Sequence, residues 1–73
     1  MNAYKAIATR IVAAEERFID YAIGTGLNRA EAIRAMATLR KAKALKIDAV
    51  GGQFTVTHGA FLEADVLKRA AAQ

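Results

Sequence analysis

The sequence contains no cysteine, serine, tryptophan or proline. Without cysteine it forms no disulfide and no thiolate metal site, and without cysteine or serine it lacks the two commonest nucleophiles of covalent catalysis. His58 is the only histidine, and a lone histidine is more often structural than a metal ligand or a catalytic base. The composition therefore predicts no metal, no cofactor and no enzymatic activity.

Long hydrophobic runs are also missing. The longest uninterrupted aliphatic run, 11–14, has four residues, whereas a membrane-spanning helix needs about 20 apolar residues. The N-terminus does not have the charged and apolar pattern of a secretory signal. We therefore expect a soluble protein without membrane association, and the absence of disulfides fits the reducing cytoplasm.

Apolar spacings of three and four residues predict helix over 3–23, either as one helix or as two that bend near 13–16. Gly24 is well placed to follow the end of this segment, because helices often end at a glycine. A turn at 24–27 comes next, and Asn28 and Glu31 have the spacing of a capping box for a second helix. That helix is predicted to run to about Leu45.

The second helix carries two stripes. We expect an inward apolar stripe formed by Ala32, Ile33, Met36 and Leu39. A polar stripe at helical spacing, open to solvent or to a ligand, consists of Glu31, Arg34, Thr38 and Lys41.

A hairpin follows, in which 47–50 and 53–57 are strands joined by a two-residue turn at Gly51 and Gly52. Pairing Val50 with Gln53 puts Ile47 opposite Val56 and collects the apolar residues on one face, as a half-buried ribbon requires. A short closing helix is predicted to start between 60 and 63 and to end near 71, with Leu62, Val66 and Ala70 inward. The order of elements predicts one α+β domain, 1–73.

Positive charge is concentrated in the second helix and just after it. Residues 28–46 hold six of the eleven basic side chains against the single acid Glu31. Such a concentration is typical of a module that binds a polyanion, and the commonest such partner is nucleic acid. The alternative is a solvated helix whose lysines and arginines favour its negative C-terminal end.

Three motifs in this order resemble the winged-helix domains of MarR-type and IclR-type bacterial repressors. They are the turn 25–29, the end of the second helix at 39–45, and the strand that ends at 54–59. The resemblance covers roughly 16–59. It implies a small winged-helix-like domain in which N-terminal helices, a recognition-type helix at 28–45, a two-stranded wing with its tip at Gly51-Gly52, and a short C-terminal helix follow one another.

The resemblance also implies DNA binding, as a transcriptional regulator or an accessory factor of a bacterium, phage or plasmid. Phosphate and base contacts are expected from the basic helix and its polar face, with Arg34 and Thr38 the best placed for base edges. The predicted contact residues are Asn28, Arg29, Arg34, Thr38, Arg40, Lys41, Lys43 and Lys46.

Two features fit another function. The predicted wing tip has no lysine or arginine, and four of the six cations lie late in the helix, whereas base contacts usually come from its N-terminal part. A protein–protein interaction module, such as a phage-type adaptor or inhibitor that binds an acidic partner, is therefore the alternative.

The first helix also predicts a self-association surface. Two series of apolar residues recur every seven positions, Tyr4, Ile11, Phe18 and Ile7, Ala14, Tyr21. A domain of this size buries only about 60% of the surface of its unfolded chain, so association with a second copy would bury more surface and add stability. We expect a homodimer that contacts through Tyr4, Ile7, Ile11 and Phe18, whereas the alternative is that this stripe packs on the chain's own core.

Overall fold

The computed structural model describes residues 3–57 and 63–73. In these ranges the chain forms three helices and one antiparallel hairpin, in the order α1 (Ala3–Gly24), α2 (Arg29–Lys41), β1 (Leu45–Asp48), β2 (Gln53–Val56) and α3 (Ala64–Ala71). The predicted α+β class is confirmed, while the winged-helix assignment stays a prediction. His58 and the predicted inward residue Leu62 lie outside the described residues.

The N-terminal segment is one unbroken helix of 22 residues, which resolves the alternative between one helix and two. Its end lies slightly later than predicted. Gly24 is still helical, and Gly26 has the positive φ of 116° that a left-handed helix end requires. The N–H of Leu27 donates to the carbonyl of Ala22 at 3.2 Å, and the N–H of Gly26 donates to that of Ile23 at 3.0 Å. These two bonds form a Schellman motif.

Helix α2 begins as predicted. The N–H of Glu31 donates to the side-chain oxygen of Asn28 at 2.8 Å, and the Glu31 carboxylate accepts from the N–H of Asn28 at 2.9 Å. These reciprocal bonds complete the capping box.

The end of α2 differs from the prediction, because the helix stops at Lys41 and not at Leu45. Lys43 adopts a left-handed φ of 63°. The N–H of Ala44 then donates to the carbonyl of Leu39 at 2.9 Å, which closes a second Schellman motif. Residues 42–44 therefore connect the two elements, and β1 begins at Leu45.

The hairpin exists, but its register differs by two residues from the predicted one. Ile47 pairs with Phe54 and Asp48 with Gln53, so the loop has four residues, 49–52, and not two. Asp48 holds this loop, because its side chain accepts from the N–H of Val50 and its carbonyl accepts from the N–H of Gly52, both at 2.9 Å. A shift by two leaves each side chain on its predicted face.

The hairpin lies along α1. The ring of Phe54 packs edge-on against Phe18, with 5.5 Å between centroids, and lies 6.3 Å from Tyr21. At the tip, Gly52 is buried, and a Cβ added there would lie 3.7 Å from the carbonyl oxygen of Arg10. The segment predicted as a wing tip therefore packs against the first helix.

The core lies where α1, α2, α3 and the start of β1 meet. On α2 the buried residues are Ala32, Ala35, Met36 and Leu39. The expectation for Ile33 was wrong, because its side chain remains 43% exposed. On α3 the fully buried residue is Leu67, whereas Val66, which was predicted to point inward, is only half-buried. Both differences arise because α3 packs beside α2, and the sequence period alone does not place that neighbour.

Candidate nucleic-acid interface

Two arginines of α2 are held by acids of α1. Arg29 makes a two-pronged contact with Glu16, with N–O distances of 2.6 and 3.3 Å. This hydrogen bonding lowers the pKa of Glu16 and raises the pKa of Arg29. Arg40, at the other end of α2, contacts the Glu15 carboxylate at 3.2 Å. Ion pairs with α1 thus neutralise two of the six positive charges of residues 28–46.

The side chains expected to meet base edges lie beside α3. The Nε of Arg34 donates to the backbone carbonyl of Ala71 at 3.1 Å. Thr38 is half-buried in a shallow depression that it shares with Val66 and Ala70 of α3. This bond occupies the Nε donor of Arg34 and fixes its guanidinium beside the end of α3. Asn28 is likewise engaged, as the cap of its own helix.

The three remaining predicted cations, Lys41, Lys43 and Lys46, are exposed and form no ion pair among the described residues. Lys41 is the last residue of α2, Lys43 follows it in the connection, and Lys46 is the second residue of β1, where its positive charge also interacts with the carboxylate of Asp48. Each lysine is a compact charge on a flexible stem, which suits it to anionic oxygens at variable positions. Three of the cations of 28–46 that form no ion pair among the described residues are therefore lysines in or just after the last turn of α2.

A shallow cleft of about 450 Å³ opens at this end of α2. Its lining consists of Arg40, Lys43, Leu45, Lys46, Ile47 and Thr57. Two of the three exposed lysines thus share the cleft with an arginine. Cationic side chains around an open cleft are suited to bind an anion.

Thr57 was not among the predicted site residues, yet it fixes the backbone of this cleft. Its hydroxyl donates to the carbonyl of Lys43 at 2.6 Å, and its N–H donates to the carbonyl of Ala44 at 3.0 Å. Both bonds join the end of β2 to the end of α2. No local signal in the sequence predicts them, because they depend on the hairpin register.

The predicted self-association stripe divides into an exposed and a buried part. Tyr4 and Ile7 are 84% and 43% exposed, and Ile11 is half-buried. Phe18 is fully buried in the chain's own core, so its assignment to a subunit interface is corrected. Val12, which was not predicted, is 56% exposed.

Other classes of site have little support in the part of the chain that the structure describes. There, no group of three or more histidine, cysteine, aspartate or glutamate residues is close enough to hold a metal ion. The same residues include no helix with the length and hydropathy needed to cross a membrane. Comparison of the chain with protein-family models, with curated proteins and with solved structures finds no significant match.

Proposed function

We propose that the protein binds DNA through the C-terminal end of α2 and the beginning of β1, and that it acts as a small transcriptional regulator or an accessory factor. One observation carries the proposal: Lys41, Lys43 and Lys46 are exposed and form no ion pair among the described residues, while Arg29 and Arg40 are paired with acids. Clustered, unneutralised cations attract a polyanion and release its condensed counterions on binding.

The helical scaffold also supports DNA as the polyanion. Helix α1, the turn at 25–28 and the capped helix α2 follow one another as in a helix-turn-helix, and the hairpin comes directly after them. On this scaffold the lysines contact phosphates, and their late position in α2 favours the DNA backbone over base edges.

Salt dependence gives the first test. Contacts of the three lysines with two or three phosphates predict that log affinity falls against log salt with a slope of about −2 to −3. Fluorescence anisotropy with a labelled duplex, titrated at several salt concentrations, measures this slope directly. Binding that does not change between low and physiological salt would contradict the proposal.

Charge reversal locates the surface. We expect the double variant Lys41→Glu/Lys46→Glu to lose most of its affinity for the duplex, because two attractive contacts become repulsive. The matched control is Arg17→Glu/Lys68→Glu, which makes the same change of net charge at exposed positions of α1 and α3. Equal losses in the two double variants would mean that total charge, and not this surface, controls binding.

An acidic protein partner is the second candidate. It is favoured by the hairpin tip, which carries no cation and packs against Arg10 of α1. The decisive result would be a single acidic partner that co-purifies with the protein after nuclease treatment, together with no affinity for duplex DNA at low salt.

A further inference from the structure

Lys43 occupies a backbone position that usually belongs to glycine. It is the residue just past the Schellman end of α2, with a φ of 63°, and it is the only described residue other than glycine with a positive φ. A Cβ at this position crowds the backbone, so glycine is the common choice there. Non-glycine residues held in strained backbone conformations are concentrated at functional sites, where the side chain has a role in function.

The Lys43 side chain lines the cleft together with Lys46 and Arg40. The hydroxyl of Thr57, which also lines the cleft, already donates its hydrogen to the carbonyl of Lys43. The three cationic side chains are therefore the donors that the cleft offers to an anion. A guanidinium and two ammonium groups match the oxygens of one phosphate, since each supplies charge-assisted hydrogen bonds.

Arg40 has a competing partner inside the fold. Its Nη1 donates to the Glu15 carboxylate at 3.2 Å, and its side chain remains 44% exposed. A guanidinium has five N–H donors, so this contact leaves others for a second anion. Glu15 nonetheless neutralises part of the charge that would attract a phosphate.

We propose that this cleft holds one backbone phosphate of DNA between Lys43, Lys46 and Arg40, and that Glu15 weakens this contact by competing for Arg40. The inference rests on the proposed function, and it assigns the main contact between protein and DNA to the sugar-phosphate backbone. A phosphate contact carries no base information, so the contribution of the cleft to affinity is the same for unrelated DNA sequences.

A pair of charge-removing variants on adjacent residues tests the competition. Glu15→Gln is expected to raise the affinity for a labelled duplex about three- to tenfold, because Arg40 becomes free to contact the phosphate. Glu16→Gln removes the same charge but releases Arg29, which lies about 16 Å away along α2 and outside the Debye length of about 8 Å. The Glu16→Gln affinity should stay within about twofold of the wild type.

Lys43→Gly tests the strained lysine. Glycine adopts the same backbone conformation readily, so the variant should fold with a melting temperature at or above that of the wild type. Its affinity should fall about three- to tenfold, equally for two duplexes of unrelated sequence. Lys68→Gln, which removes one charge from α3, should bind within about twofold of the wild type.

The outcomes separate the two proposals. If the wild-type protein does not bind duplex DNA at low salt, the proposed function fails and this inference fails with it. If the wild type binds but Glu15→Gln and Glu16→Gln have equal effects, or Lys43→Gly keeps the wild-type affinity, the inference alone is overturned. Thermal melts of each variant establish that the compared proteins are folded.

Discussion

The Nε of Arg34 on α2 donates a hydrogen bond of 3.1 Å to the carbonyl of Ala71, the last residue of α3. Carbonyls in the last turn of a helix have no partner within that helix and lie at the negative end of its dipole. Arg34 therefore satisfies the C-terminal end of α3, whose Leu67 is fully buried in the core. An arginine that sequence patterns assign to a ligand here holds two helices together.

Arg34→Met should destabilise the protein. We expect the free energy of unfolding to fall by about 1 kcal/mol, because a partly exposed charged hydrogen bond is lost while the side-chain stem is kept. Arg69→Met is the control, since the ion pair of Arg69 with Asp65 is exposed on both sides and should contribute less than about 0.5 kcal/mol. Urea denaturation measures both values, and equal losses would refute the structural role of Arg34.

The end of α1 gives a matched pair of glycine substitutions. Gly24 is helical, and an added Cβ would meet no heavy atom within 4 Å, so Gly24→Ala should stabilise the protein by about 0.5 kcal/mol. Gly26 has a φ of 116°, and Gly26→Ala should cost about 1 kcal/mol or more because alanine is strained there. Thermal or chemical unfolding should thus show changes of opposite sign. Stabilisation by both substitutions would contradict the position of the Schellman motif.

Acid should weaken the fold through Glu16. The hydrogen bond from Arg29 lowers the pKa of this carboxylate below its ordinary value of 4.5. The unfolded chain then takes up the proton first, so the stability that Glu16 contributes is present above about pH 4.5 and is lost as the pH falls through the lower folded pKa.

The measurement is the free energy of unfolding between about pH 7 and pH 3. Its decline below about pH 5 should be shallower in Glu16→Gln than in the wild type. Asp48→Asn should also reduce the decline, because N–H groups of Gly51 and Val50 lower the pKa of Asp48. Identical pH profiles for the wild type and Glu16→Gln would refute the linkage.

Self-association through α1 is the remaining prediction. The exposed Ile7 and Tyr4 continue the helix face that buries Ala14 and Phe18 further along, so we expect a second copy to cover this face. Sedimentation velocity at rising concentration should show a mass that increases from one chain towards two. Ile7→Glu should keep the mass of one chain, while Ala13→Glu, an exposed position on the opposite face, should behave as the wild type. A mass of one chain throughout would exclude the dimer.

Features set by near neighbours in the chain are predictable from the sequence, and features set by distant contacts are not. The capping box of Asn28 and Glu31 spans three residues, and its spacing suffices to locate the start of α2. The end of α2 is joined to Thr57, which lies just after β2 and donates to the carbonyls of Lys43 and Ala44. The helical pattern continues to Leu45, but the helix stops at Lys41, and these bonds between distant residues accompany the earlier end.

The candidate site also combines features set by near neighbours with features set by distant contacts. The positive charge of 28–46 is visible in the composition, but its neutralisation is not. Glu15 and Glu16 lie on α1, and only the packing of α1 against α2 brings them to Arg40 and Arg29. The hairpin faces were predictable because alternation fixes them. Its register was not, because the side chain of Asp48 favours a four-residue loop over a tight glycine turn.

The hairpin tip lies against α1 at Arg10, where a Cβ added at Gly52 would be 3.7 Å from the carbonyl oxygen. In the preceding turns of the same helix, residues 3–10 are exposed apart from the half-buried Ala6. Helical amides there should exchange with deuterium much faster than those of 18–22, because local opening of a solvated turn costs far less than global unfolding. The first turns of α1 should thus have a lower local stability than residues 18–22 of the same helix. If a second copy covers these turns, raising the protein concentration should slow their exchange.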